Sequence, residues 1–178
     1  MFLNIFSLSP DTEVITRKLK IDIFHEILDS KPNSLENYEQ AVRLIKHWPN
    51  WQQELFQSIV KSVLPLCDAE TRQECDNSFG TRHCVGAIFT GITLSSPYPD
   101  ISLNISFAHE LGHQALMHYQ VATEILPDAV EWIYSGVRKT LRPPISALHA
   151  AVALSYMIVS ATESHSFTHK IDYDFRII

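Results

Sequence analysis

The chain has 178 residues, enough for one domain with a hydrophobic core and too few to expect two. Apolar residues make up 46% and charged residues 19%, which excludes a disordered chain. With 14 Lys and Arg against 20 Asp and Glu the formal net charge is -6, so the basic face of a general nucleic-acid binder is not expected.

The opening MFLNIFSLSP is apolar but lacks a basic n-region and a small-residue cleavage pattern, so no signal peptide is expected. Asp11 to Asp29 carries Val14, Ile15, Leu19, Ile23, Phe24 and Leu28 near helical period, and Pro32 follows; the pattern predicts a first helix. Ser34 is the expected N-cap of a second helix, running through Val42, Leu44 and Ile45 to Trp48, where Pro49-Asn50 breaks it. Trp51 to Leu64 predicts a third, with Leu55, Phe56, Ile59 and Val63 on one side. These helices, within residues 1–66, read as structural support, with Lys18, Lys20, Arg43 and Lys46 on solvated faces.

Cys67 to His83 is polar and irregular, includes Asn77, Ser78 and Gly80, and predicts a loop. The cysteines Cys67, Cys75 and Cys84 are odd in number and form no CxxC pair. That argues against a disulfide framework and for a reducing, cytoplasmic setting. Val85 to Leu94 predicts a strand or hairpin, stopped by Pro97-Tyr98-Pro99-Asp100. Asp100 or Ser102 is the expected cap of the next helix, which runs to about Ile125. Pro127 and Asp128 restart a short helix through Trp132, followed by a loop with Gly136, Arg138, Arg142, Pro143 and Pro144. A long helix is then expected from Ile145 to Glu163. Its weakly polar stretch to Thr162 contains Ser146, His149, Ser155 and Ser160, which suits a buried helix better than a membrane span. The tail from Phe167 to Ile178 alternates weakly and predicts a final strand. The expected fold class is mostly α with a small β element (α+β). A single domain is expected over 1–178, with N-terminal helical support in 1–66 and a metal-binding core in 84–178.

The helix after Pro99 carries His109-Glu110-Leu111-Gly112-His113. Positions i and i+4 lie one above the other on a helix, so His109 and His113 present both imidazoles to one point. Neutral imidazoles are ligands for zinc or iron. Glu110 lies about 100° around the helix and reaches the edge of such a site, where in a peptidase it would act on metal-bound water. A chance HExxH in a chain of this composition has an expectation on the order of a few per cent. Gly112 costs the helix roughly 1 kcal/mol relative to Ala, and with Ala108 and Leu116 it forms a narrow face for a close neighbour. The third ligand is open. His118 is turned away from the pair, the metzincin pattern is excluded by Leu116 and Tyr119, and Glu124 and Glu131 lie in no convincing partner helix. His149 sits on the most apolar helix, where a metal would satisfy its ring.

From about Gly86 to Glu163 the chain resembles the HExxH-containing peptide-modification family of iron- and 2-oxoglutarate-dependent peptide β-hydroxylases. The resemblance rests on Phe107-Ala108-His109-Glu110-Leu111-Gly112-His113, then Arg142-Pro143, then Leu148-His149-Ala150. It implies Fe(II) held by His109, His113 and His149, and 2-oxoglutarate held by Arg142, with Arg138 as the alternative arginine. It also implies a ribosomally made precursor peptide as substrate, modified on a side-chain β-carbon. No membrane and no nucleic-acid partner is expected. Two other readings stand beside it: a zinc metallopeptidase with Glu110 as general base, and a non-catalytic metal-binding protein.

Overall fold

The computed structural model describes residues 22–23, 33–67, 78–91, 96–126, 131–136 and 138–167. In the first half, α1 covers Asn33–Leu44, continues into a 3₁₀ turn at Ile45–His47, and is followed by α2 at Asn50–Ile59. Ser34 therefore lies inside α1 rather than capping it. Pro49 occupies the N-cap of α2, where its missing N–H leaves no donor unsatisfied.

Three expectations for this half change. The helix from Asp11 to Asp29 is not formed at Asp22–Ile23, which is strand β1; the rest of that span lies outside the described residues. The third helix stops at Ile59 rather than Leu64, and its expected end falls in strand β2, Ser62–Cys67. Residues 1–66 are thus not purely helical support, since they supply one edge and most of a central strand. The physical reason is long-range pairing, which overrides local helical period when β-branched and apolar residues find a partner. β2 runs parallel to β4, Ala87–Gly91, with Val63 opposite Ile88, and antiparallel to β1, with Ile23 opposite Leu66. Gly86 makes the junction possible. At φ +90° it turns its carbonyl to the N–H groups of Lys61 (2.7 Å) and Ser62 (3.2 Å). A Cβ there would stand 2.9 Å from the carbonyl oxygen of Ile59.

The expected loop from Cys67 to His83 contains a further edge strand, β3 at Ser78–Phe79, antiparallel to β4. Phe79 stacks on Phe89 with ring centroids 4.7 Å apart. The sheet order is β1-β2-β4-β3.

The motif helix, α3, spans Pro99–Ala122. It begins earlier than the Asp100 or Ser102 cap, because Pro99 fits the first helical position and Tyr98 takes the N-cap; Asp100 lies in the first turn. No helix continues through Glu131 and Trp132, and 127–130 are outside the described residues. In place of the expected loop, β5 (Ile133–Ser135) and β6 (Thr140–Arg142) form an antiparallel hairpin pairing Ile133 with Arg142. The β-prone Ile-Tyr and Thr-Leu runs flank a turn containing Gly136 and Lys139, the latter at φ 52°. The long helix α4 follows at Pro144–Phe167; the expected tail strand beyond it lies outside the described residues.

The architecture is mostly α with a small β component. Its core lies between one face of the sheet (Val63, Ile88) and the helices, through Tyr38, Phe56, Leu103, Phe107 and Leu111. Buried polar side chains link the elements. Trp48 donates to Asn104 Oδ1 (3.0 Å), Asn104 donates to the Ala41 carbonyl (2.9 Å), and Tyr38 donates to the Thr90 carbonyl (2.9 Å). These fix α1 and the sheet against α3 about one turn ahead of the motif.

α4 packs on α3 at Gly112. A Cβ on Gly112 would stand 2.8 Å from Ala153 Cα and 3.2 Å from the Val152 carbonyl oxygen. Only a residue without a side chain lets the two backbones meet there. α4 is not the buried helix its composition predicts. Its segment Pro144–Glu163 is long and apolar enough to cross a membrane by length and composition (mean hydropathy 1.6), yet only 11% of it is buried. Ala153 and Ser160 form the buried stripe, while Leu154 and Ile158 are exposed.

Candidate metal centre

His109 and His113 lie on consecutive turns of α3, and their Nε2 atoms are 3.0 Å apart. His149, in the second turn of α4, places Nδ1 3.3 Å from His113 Nδ1. The expected trio is therefore brought together, but in a row. His149 meets the edge of the His113 ring opposite His109. Among the described residues, the group whose ligand atoms all lie within 4.8 Å of one another is His109, Glu110 and His113.

The hydrogen bonds fit one consistent set of tautomers. His109 Nδ1 is 3.1 Å from Met157 Sδ, a thioether that can only accept, so His109 Nδ1 bears the hydrogen and Nε2 the lone pair. His149 Nε2 donates to Gln120 Oε1 at 2.9 Å, which leaves Nδ1 of His149 unprotonated. His113 Nδ1–H then donates to that nitrogen, and His113 Nε2 keeps its lone pair. Two lone pairs consequently face each other across 3.0 Å, an arrangement that a shared cation would satisfy. Nitrogens about 2.0–2.1 Å from a shared ion stand roughly 2.9 Å apart at a right angle and roughly 3.4 Å at the tetrahedral angle. The observed spacing falls in that range.

Burial reinforces this. It lowers the pKa of His109 and His149, and it pushes His113 down to about 4, aided by the positive charge either neighbour would carry. All three rings are neutral near pH 7, the form that binds metal.

Glu110 is fully buried. Its Oε1 accepts a hydrogen bond from Ser78 Oγ (2.7 Å) and lies 3.9 Å from His109 Nε2. Oε2 has no side-chain hydrogen-bond partner and lies beside the Gly80 backbone. Burial raises this carboxyl to about 7, with the Ser78 hydroxyl and the Gly80 backbone N–H pulling the other way. The donor set of imidazoles with one nearby carboxylate fits Fe(II) or Zn(II).

The remaining candidates are peripheral. His118 is exposed and donates to the Gln114 carbonyl (2.8 Å). Glu124 and Glu131 are exposed and take no part in the group. Arg142 ends β6 just ahead of α4 and is half-buried, and Arg138 is exposed in the hairpin turn. Four residues at the centre carry no sequence motif: Ser78, Gln114, Gln120 and Met157. Helical spacing offers a signal for two of them, since Gln114 is one turn after Glu110 and Met157 lies on the His149 face of α4. Ser78 has none.

No family model matches the chain, and no curated protein matches it.

Proposed function

We propose that the chain is an Fe(II)- and 2-oxoglutarate-dependent oxygenase that hydroxylates a side-chain β-carbon of a ribosomally made peptide. The observation that carries the reading is the approach of His109 Nε2 and His113 Nε2 to 3.0 Å, with Glu110 completing the group of ligand atoms. His109 and His113 hold the ion; His149, the third donor that the family resemblance implies, would have to turn its ring away from His113 Nδ1 to join them. The bound iron and keto acid supply oxygen activation. The order of HExxH, Arg-Pro and Leu-His, on which the family resemblance rests, supports the same assignment.

Arg142 is assigned to the distal carboxylate of 2-oxoglutarate. It is the half-buried arginine on the segment that leads directly into the His149 helix, and its guanidinium fork suits both oxygens of a carboxylate. Arg142→Ala is expected to weaken 2-oxoglutarate binding to the anaerobic Fe(II) protein roughly 100-fold, as loss of a partly buried charged pair does. Arg142→Lys falls between, because the charge stays and the fork is lost. The measurement is titration of the metal-to-ligand charge-transfer band. Unchanged affinity in Arg142→Ala moves the role to Arg138, and no band in the wild type ends the oxygenase reading.

Zinc-dependent peptide hydrolysis is the second reading, favoured by one feature: a carboxyl raised to about 7 beside the imidazoles, the range a general base works in. Peptide hydrolysis by the zinc form, abolished in Glu110→Gln, would establish it. The bond from Ser78 and the complete burial of Glu110 weigh against it, since a base must reach a water in an open cleft.

A further inference from the structure

We propose that Ser78, on the edge strand β3, is a positioning residue of the metal centre, acting through Glu110. This rests on the reading of His109 and His113 as ligands, not on the reaction they support.

Ser78 Oγ donates to Glu110 Oε1 at 2.7 Å, and Oε1 is the oxygen that stands 3.9 Å from His109 Nε2. The hydroxyl therefore fixes the one atom of the carboxylate nearest the ligand pair. Glu110 has no access to water that could replace this bond. Two further contacts make the arrangement rigid. A Cβ on Gly80 would stand 2.6 Å from Gln114 Nε2 and 3.3 Å from Glu110 Oε2, so this backbone lies flat against both side chains. Gln114 is itself fully buried; it accepts from the Gly86 N–H (3.0 Å) and donates to the Ala87 carbonyl (3.1 Å). The β3–β4 connection is thus clamped to α3 at both ends, by Glu110 near Ser78 and by Gln114 near Gly86. A carboxylate held in one orientation contributes its negative charge to a nearby cation at a fixed distance. One free to rotate in a cavity does not. Outer partners of this kind typically change metal affinity by about 10–100-fold.

The test uses Co(II) as the probe, so it reads binding and geometry without any turnover. Ser78→Ala is expected to weaken Co(II) binding about tenfold and to shift the visible d–d bands. Ser78→Thr, which keeps the hydroxyl, is expected to retain the wild-type bands and affinity. In a Glu110→Gln background, where the charge is gone, Ser78→Ala is expected to change affinity by less than about twofold, because the two residues act as one unit. Wild-type affinity and bands in Ser78→Ala overturn the proposal. So does an equal loss in Ser78→Ala and Ser78→Thr, or an equal loss with and without the Glu110 charge. Failure of the oxygenase reading appears separately, as absent 2-oxoglutarate binding in a protein that still holds Co(II) as described.

Discussion

His113→Ala is expected to lose its metal almost completely, with a larger loss than either His109→Ala or His149→Ala. His113 is the middle of the row: Nε2 faces His109 at 3.0 Å and Nδ1 faces His149 at 3.3 Å. Its removal deletes a ligand and also takes away the donor that His149 Nδ1 accepts from. His109 would then keep only Glu110, whose Oε1 lies 3.9 Å away, from the described group of ligand atoms. Loss of a ligand exceeds the roughly 10–100-fold that loss of an outer-shell partner costs, so affinity should fall by more than about 100-fold. The check is metal content after anaerobic reconstitution and dialysis, with a dissociation constant from competition against a chelator. His118→Ala serves as the control. That ring is exposed and donates to a backbone carbonyl, so its loss should leave affinity unchanged. Retained stoichiometric metal in His113→Ala would remove the centre from α3 altogether.

Gly112→Val is expected to lower both stability and metal affinity, although Gly112 has no side chain to offer the ion. The Cβ it introduces would stand 2.8 Å from Ala153 Cα and 3.2 Å from Ala153 N. Those are backbone atoms, so no rotamer change relieves the contact and the helices must separate. Overpacking of this kind typically costs about 1–3 kcal/mol, or roughly 2–12 °C in Tm for a chain of this size. Gly112→Ala sets two effects against each other: a gain of about 1 kcal/mol in helix propensity and a clash with a backbone that cannot yield. The clash should win, and the variant should be less stable than the wild type. Ala153→Gly should not rescue it, because the atoms met are Cα and N rather than the Ala153 methyl. The metal effect follows from position. Ala153 sits one turn after His149 and one turn before Met157, the two residues of α4 that touch the imidazoles. Pushing α4 outward moves both. Thermal unfolding and Co(II) titration of the same variant read the two losses together. A Gly112→Ala protein more stable than wild type would show that the helices do not meet where the structure has them.

The two long helices and the facing histidine pair were legible in the chain itself. Their information is local: long apolar runs without an interior proline, and an i, i+4 histidine pair whose geometry follows from helix pitch alone. The meaning of Gly112 was legible as well, since a costly residue inside a helix needs a close neighbour. Strand pairing was not. Asp22–Ile23 and the start of β2 as far as Leu64 carry enough helical period to read as helix, and only partners distant in sequence, β2 and β4, made them strands. The burial of α4 was also misjudged, because composition counts apolar residues without saying which face meets a neighbour. At the centre, the sequence named the rings and tertiary structure chose their protons. Met157 and Gln120 assign the tautomers of His109 and His149 through contacts between separate helices, and Ser78 holds Glu110 from another strand. Such contacts depend on how elements pack; spacing along the chain places Met157 on the face of His149 but does not encode what either of them meets.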